Sequence, residues 1–232
     1  MTKNVCVINW KGGCGKTTIA THLAVALATS GLEAGLADYD RQQTAKFWAK
    51  LRPKDAVSVP LVDWRKDFGI SPASLQRLIV DCPPSLRTKR VRAIIAESNI
   101  AVVPLLPSIF DEMATLHFLK RLEAIKSVRK QKKRVLLVAN RYRTGRSASR
   151  RLEEFLATEG LLLTARIPER EIYSDLAREG LTIFDRYSKA ALEQQQAWLP
   201  LVRAVETCLS PPDVSGLNYF ALERGELCKR VR

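Results

Sequence analysis

The stretch Asn4-Val5-Cys6-Val7-Ile8-Asn9-Trp10-Lys11-Gly12-Gly13-Cys14-Gly15-Lys16-Thr17-Thr18 decides the fold. A short apolar segment leads through a glycine-rich turn, ending in Lys-Thr, into a segment of helical periodicity that reaches Ser30. Glycines let consecutive backbone N–H groups turn inward around phosphate oxygens, and the following helix adds the positive end of its dipole. Lys11, Gly12, Gly13, Cys14, Gly15, Lys16, Thr17 and Thr18 are therefore expected to cradle the phosphates of a nucleotide. Lys16 would reach the β- and γ-phosphates. The Thr17 hydroxyl suits Mg²⁺, which prefers oxygen ligands and substrate phosphates to an all-protein cage.

Beyond this loop, short runs rich in Val, Ile and Leu alternate with longer segments of helical period. The candidate strands are Asn4–Asn9, Gly35–Asp38, Leu75–Asp81, Ile100–Leu106, Arg134–Ala139 and Leu161–Ile167. Helices are predicted over Lys16–Ser30, Arg41–Leu51, Thr88–Glu97, Ile109–Lys130, Ser147–Glu159, Glu169–Arg178 and Lys189–Leu209. Continuously apolar strands are the mark of a sheet buried on both faces. The expected class is α/β, a single-domain phosphate-loop NTPase fold with a mostly parallel twisted sheet covered by helices on both faces. Residues 1–208 form that domain and 209–232 a tail, with Ser210-Pro211-Pro212 as the break. Phe220, Leu222 and Leu227 among Arg224, Lys229, Arg230 and Arg232 are compatible with a packed terminus or a sparse amphipathic helix.

At 232 residues and 46% apolar content the chain can bury one substantial core. No apolar run approaches the roughly 18 residues of a membrane span, and no signal-peptide pattern opens the chain, so the expected location is cytoplasmic. Five scattered cysteines without a C-x-x-C pair suggest reduced thiols. The formal charge is +14. From Lys120 to Arg151 thirteen Lys and Arg face one acid, Glu123. Such a run serves as a solvated helical face or attracts a polyanion, and its concentration favours nucleic acid.

Two further segments end apolar strands in acids, Leu36-Ala37-Asp38-Tyr39-Asp40-Arg41-Gln42-Gln43 and Leu78-Ile79-Val80-Asp81-Cys82-Pro83-Pro84-Ser85. Both belong at the carboxyl edge of the sheet, beside the phosphate loop. Asp before a helix is also a common cap, so Asp38 and Asp40 have that second use open to them. The loop departs from G-x-x-x-x-G-K-[ST], because Trp10 stands where the first glycine belongs. Lys11 heads it instead, and Lys11-Gly12-Gly13-Cys14-Gly15-Lys16-Thr17 resembles the K-G-G-x-G-K-[ST] signature of the ParA/MinD superfamily of ATPases. The segment from Asp38 resembles that family's D-x-D-P-Q motif, with Arg41 in place of proline. The segment ending in Asp81 resembles its Walker B strand and second switch.

The resemblance implies a catalytic set of Lys11, Lys16 and Asp40. Lys11 would cross a dimer interface to the partner's nucleotide, and Asp40 would orient or deprotonate the attacking water. Thr17, Asp38 and Asp81 would serve the magnesium shell. It further assigns Val138-Ala139-Asn140-Arg141 and Ile167-Pro168-Glu169-Arg170 to the adenine side, making Asn140, Arg141, Pro168 and Glu169 nucleotide contacts. ATP and Mg²⁺ are the implied cofactors, and an ATP-bound homodimer with weak intrinsic hydrolysis the implied active form.

Only ten residues precede Lys11, leaving no room for a helix-turn-helix arm. Binding to non-specific DNA of the nucleoid is expected instead, through Arg143, Arg146, Arg150 and Arg151 first, with Arg129 to Arg134 toward the opposite sheet edge. The family implies a small ParB-like or cargo-adaptor partner that stimulates hydrolysis. Cargoes in keeping with it are a plasmid, a chromosome, a carboxysome or another large assembly. A MinD-like membrane-associated ATPase and a regulatory ATPase of another assembly are the alternatives, and the sparsely apolar tail argues against the membrane.

Overall fold

The computed structural model describes residues 1–209, so most of the tail 209–232, with its candidate amphipathic helix, lies outside the described residues. Seven strands form one sheet, all pairings parallel, in the order β3-β2-β4-β1-β5-β6-β7. They are β1 (Lys3–Val7), β2 (Ala34–Asp38), β3 (Leu61–Asp63), β4 (Arg77–Asp81), β5 (Ile100–Leu105), β6 (Arg134–Tyr142) and β7 (Leu163–Pro168). The helices are α1 (Lys16–Thr29), α2 (Thr44–Leu51), α3 (Thr88–Glu97), α4 (Ile109–Glu123), α5 (Lys126–Arg129), α6 (Ser147–Thr158), α7 (Ile172–Arg178), α8 (Lys189–Gln196) and α9 (Leu199–Leu209). The expected α/β fold with helices on both faces is the observed one, and the sheet is parallel throughout.

Alternate strand residues feed two cores. Val5, Val7, Leu36 and Ile79 pack with α1, α2, α7 and α9, whereas Cys6, Ile8, Leu78 and Val80 pack with α3, α4 and α6. This alternation follows from the two-residue period of a strand. Helix α1 is buried on nearly every side, Ile19 to Ala28 without interruption, which explains a segment apolar all round rather than along one stripe.

Four expectations need correction. Strand β3 escaped the reading because it has three residues and adds to the sheet edge only through its register with Leu36, Ala37 and Asp38. The segment Ile109–Lys130 is two helices, broken where Ile125 becomes extended and tucks its side chain into the α3–α4–α6 core. The segment Lys189–Leu209 is likewise broken before α9. Pro200 cannot continue a helix through Gln196 and Ala197, since its ring clashes with the carbonyl four residues back. Helices α2 and α7 begin later than Arg41 and Glu169, at Thr44 and Ile172, because turns carrying site residues precede them.

The second break buries Trp198, which stacks on His22 at 4.4 Å and 9°. His22 Nδ1 lies 2.8 Å from Thr18 O, and Nε2 accepts from Ile183 N–H at 3.4 Å. That pattern requires a neutral ring. Burial lowers the pKa of His22 from 6.5 to about 4. The unfolded chain therefore takes up a proton as pH falls through 6.5 while the folded chain does not, and stability is lost between pH 6.5 and about 4. The loss from this group should be on the order of 3 kcal/mol. Thermal melts of His22→Phe against wild type across that window should show a flatter dependence in the variant, and parallel profiles would refute the assignment.

Candidate functional site

Parallel register gathers three acids at one edge. Asp38 pairs with both Asp81 and Asp63, and Val7, which also pairs with Asp81, runs directly into the phosphate loop. The carboxyl ends of adjacent parallel strands are where open α/β sheets hold ligands.

Gly13 and Gly15 take φ of +77° and +88°, values open to glycine and costly for other residues. Lys16 is buried and donates from Nζ to Lys11 O at 2.9 Å, so its ammonium lies inside the loop. Asn9 positions the loop's entry. It accepts from Lys11 N–H at 3.2 Å and donates to Pro104 O at 2.7 Å and Thr115 Oγ1 at 3.0 Å. Asn9 escaped the sequence reading, and an asparagine closing an apolar strand is the signal that could have found it.

Thr17 donates from Oγ1 to Asp81 Oδ2 at 2.6 Å. Asp81 Oδ1 is buried and has no hydrogen-bond partner among the described residues. Burial pushes the Asp81 pKa up to about 7, against the hydrogen bond from Thr17. An orphaned carboxylate oxygen beside a threonine hydroxyl, at the mouth of a phosphate loop, is a donor set that fits Mg²⁺. A cation there would favour the ionised carboxylate.

Asp38 is engaged differently. Its Oδ1 accepts from Asp40 N–H at 2.9 Å and its Oδ2 from Lys46 N–H at 2.8 Å, in the first turn of α2. It thus caps the helix and shapes the Asp40 turn, with its pKa raised by burial. Asp40 is partly exposed, and among the described residues its carboxylate accepts a single hydrogen bond, from Gln42 N–H to Oδ1 at 3.0 Å. The capping use belongs to Asp38 in this structure, and Asp40 is the freer carboxylate of the two.

The four residues expected at the adenine, Asn140, Arg141, Pro168 and Glu169, come together with Gly15, Thr18 and Tyr173 around a cavity of about 460 Å³. Tyr173, Ser174 and Ala177 escaped the sequence reading, although helical spacing from Pro168-Glu169 puts them on one face of α7. Asn140 donates from Nδ2 to Cys14 O at 2.9 Å, so its amide N–H braces the phosphate loop rather than standing free for a base. Among the described residues, three of the four non-glycine residues at positive φ, Gln43, Ser85 and Arg141, flank these segments. Left-handed backbone at such residues costs roughly 1–3 kcal/mol and concentrates at functional sites.

Gly15 also leaves no room for a side chain. An added Cβ would stand 2.1 Å from Asn140 Nδ2, which the Cys14 bond holds in place. Gly15→Ala should cost about 1–3 kcal/mol of stability and weaken nucleotide binding roughly tenfold or more, since a 1.4 kcal/mol misfit already costs that factor. Melting and fluorescent-ATP titration would check both, and wild-type affinity would count against a bracing role for Asn140.

The four arginines expected on DNA are not equivalent. Arg143 is ion-paired with Glu169 at the cavity, and Arg151 lies near Glu112, where its charge partly offsets the rise in that acid's pKa caused by burial. Arg146 lines a neighbouring depression with Leu106, Pro107 and Ser147, and Arg150 is exposed on α6. The stretch Arg129–Arg134 lies at the opposite sheet edge, where Lys133 donates to the carbonyls of Ala96 and Ser98. Ile109, Phe110 and Met113, exposed at 68%, 77% and 47%, form an apolar patch on the first turn of α4.

Residues 5–183 match the family described as the CobQ/CobB/MinD/ParA nucleotide binding domain. The "Maintenance of carboxysome distribution protein A" of Halothiobacillus neapolitanus is 31% identical over 189 residues, covering 78% of this chain and 86% of that protein. Among solved structures, apo McdA of Cyanthece superposes with a TM-score of 0.69 at 17% identity, covering 90% of this chain and 100% of the other. The cell division ATPase MinD of Pyrococcus furiosus does so with a TM-score of 0.66 at 20% identity, covering 90% of this chain and 100% of the other.

Proposed function

Because this chain belongs to the CobQ/CobB/MinD/ParA nucleotide-binding family, we propose that it is an ATP-driven switch that dimerises with ATP, binds non-specific DNA and positions a large cytoplasmic assembly. The observation that carries this reading is the Thr17–Asp81 contact of 2.6 Å, with Asp81 Oδ1 unpartnered, at the mouth of a loop headed by Lys11. Thr17 and Asp81 would hold Mg²⁺, which supplies charge neutralisation along the phosphate chain.

In hydrolysis, Asp40 accepts a proton from water as the water oxygen bonds to the γ-phosphorus. The bond from that phosphorus to the bridging oxygen breaks, and ADP keeps the electron pair. Lys16 steadies the phosphates in its own subunit. Lys11 delivers a second positive charge to the partner's nucleotide. The exposed Ile109, Phe110 and Met113 support self-association at the same edge, since an apolar patch of this kind is a usual mark of a protein contact. Weak intrinsic turnover would let a small adaptor or ParB-like partner set the timing by stimulating hydrolysis. The printed name of the Halothiobacillus relative makes the carboxysome the first cargo to test. No helix among the described residues is long and apolar enough to cross a membrane.

Binding to non-specific duplex DNA should be measured with ATP, with ADP and without nucleotide over a salt series, alongside Arg146→Ala/Arg150→Ala. The expected result is binding that requires ATP, falls steeply with salt and weakens in the variant. DNA binding that is absent or indifferent to nucleotide would overturn the positioning role on the nucleoid.

A further inference from the structure

The two helical layers differ in charge. On the layer of α1, α2, α7 and α9, three cations are matched by acids: Arg52 with Asp185 at 2.6 Å, Arg77 with Glu206 at 2.6 Å and Arg186 with Glu179 at 2.8 Å. On the layer of α3, α4 and α6 the match fails. Residues 83–96 hold Arg87, Lys89, Arg90 and Arg92 and no acid. Among the described residues, none of these four, nor Arg150 of α6, has a carboxylate within 4.0 Å.

Burial orients them. Val91, Ile94 and Ile95 are the buried side of α3, and Lys89 and Arg92, three residues apart, are exposed on its outer side. Arg90 instead lies over the rings of Tyr39 and Phe68, at 5.5 and 5.4 Å. Neighbouring helices pack 8–10 Å apart, so the α3–α4–α6 layer offers a basic strip roughly 20 Å wide. Among the described residues, the large apolar side chains this layer exposes, Ile109, Phe110 and Met113, are confined to the start of α4, so the outer sides of α3 and α6 lack the apolar anchors that a folded protein partner uses.

We infer that the outer side of α3, through Lys89 and Arg92, is a second phosphate-contact site, and that duplex DNA lies across the α3–α4–α6 layer rather than on α6 alone. This rests on the DNA-binding reading above and names where on the molecule it is carried out. Such contacts hold phosphates without reading bases. Each one lost removes about 0.9 from the slope of log affinity against log salt.

The test compares full-length wild type with Lys89→Glu/Arg92→Glu, with the charge-keeping Lys89→Arg/Arg92→Lys, and with Arg178→Glu/Lys189→Glu on the other layer, all with ATP and a non-specific duplex. The expected result is an affinity at least about tenfold lower and a salt slope shallower by about 1–2 in the α3 reversal only. ATP turnover without DNA should be unchanged. If wild type binds and Arg146→Ala/Arg150→Ala weakens it while the α3 reversal binds like wild type, the α3 site is refuted and the DNA-binding reading stands. Equal loss in the opposite-layer reversal would reduce the effect to net charge and also refute the site. Failure of wild type to bind would remove both.

Discussion

Asp40→Ala is expected to lower ATP turnover by about 10²–10⁴-fold, the usual contribution of a positioned general base, while ATP affinity stays near that of wild type. Asp40 is suited to this test because little of the fold leans on it: it is partly exposed and, among the described residues, its carboxylate accepts only Gln42 N–H. Asp38→Ala would be a poorer probe. Its two oxygens hold Asp40 N–H and Lys46 N–H, so the substitution would uncap α2 and shift the Asp40 turn together. The readouts are single-turnover hydrolysis and equilibrium ATP binding. Turnover within a few-fold of wild type would remove Asp40 from the chemistry.

Lys16→Ala is expected to reduce turnover by about 10²–10³-fold, comparable to removing one preorganised donor from a developing oxyanion. It should weaken ATP binding as well, which separates it from Asp40→Ala. The ammonium is buried and tied to Lys11 O at 2.9 Å, so it is held in the loop before any phosphate arrives. Part of the cost is therefore structural, and a melting curve measured beside the kinetics would separate the two. Undiminished ATP affinity in a folded Lys16→Ala protein would show that the backbone cradle alone binds the phosphates.

These residues were legible because phosphate binding is written in a contiguous stretch. A strand, a glycine turn, Lys-Thr and a helix can be read together at 4–18 without knowing what packs around them. The same is true of the acids ending β2 and β4, since an apolar run closing in Asp places that Asp at a strand end. The residues expected at the adenine were harder. Asn140 and Pro168-Glu169 are 28 or more positions apart, and their likeness to the family picked them out. The neighbours contributed by α7 became visible only once β6 and β7 paired.

By itself the sequence determined the α/β class, the alternation of most strands and helices, the phosphate loop and the acids beside it. Each of these is set by local periodicity, chain stiffness or a contiguous motif. The tertiary structure decided what depends on neighbours distant in the chain. It made β3 a strand by pairing it with β2, broke two long helices to bury Ile125 and Trp198, and gave the capping duty to Asp38. It also tied Asn140 to the phosphate loop. Above all it divided the charge, since whether a cation finds a carboxylate, as Arg77 finds Glu206 of α9 and Arg92 of α3 finds none among the described residues, depends on which layer of the sheet each helix crosses. That is a property of the winding and not of any stretch of residues.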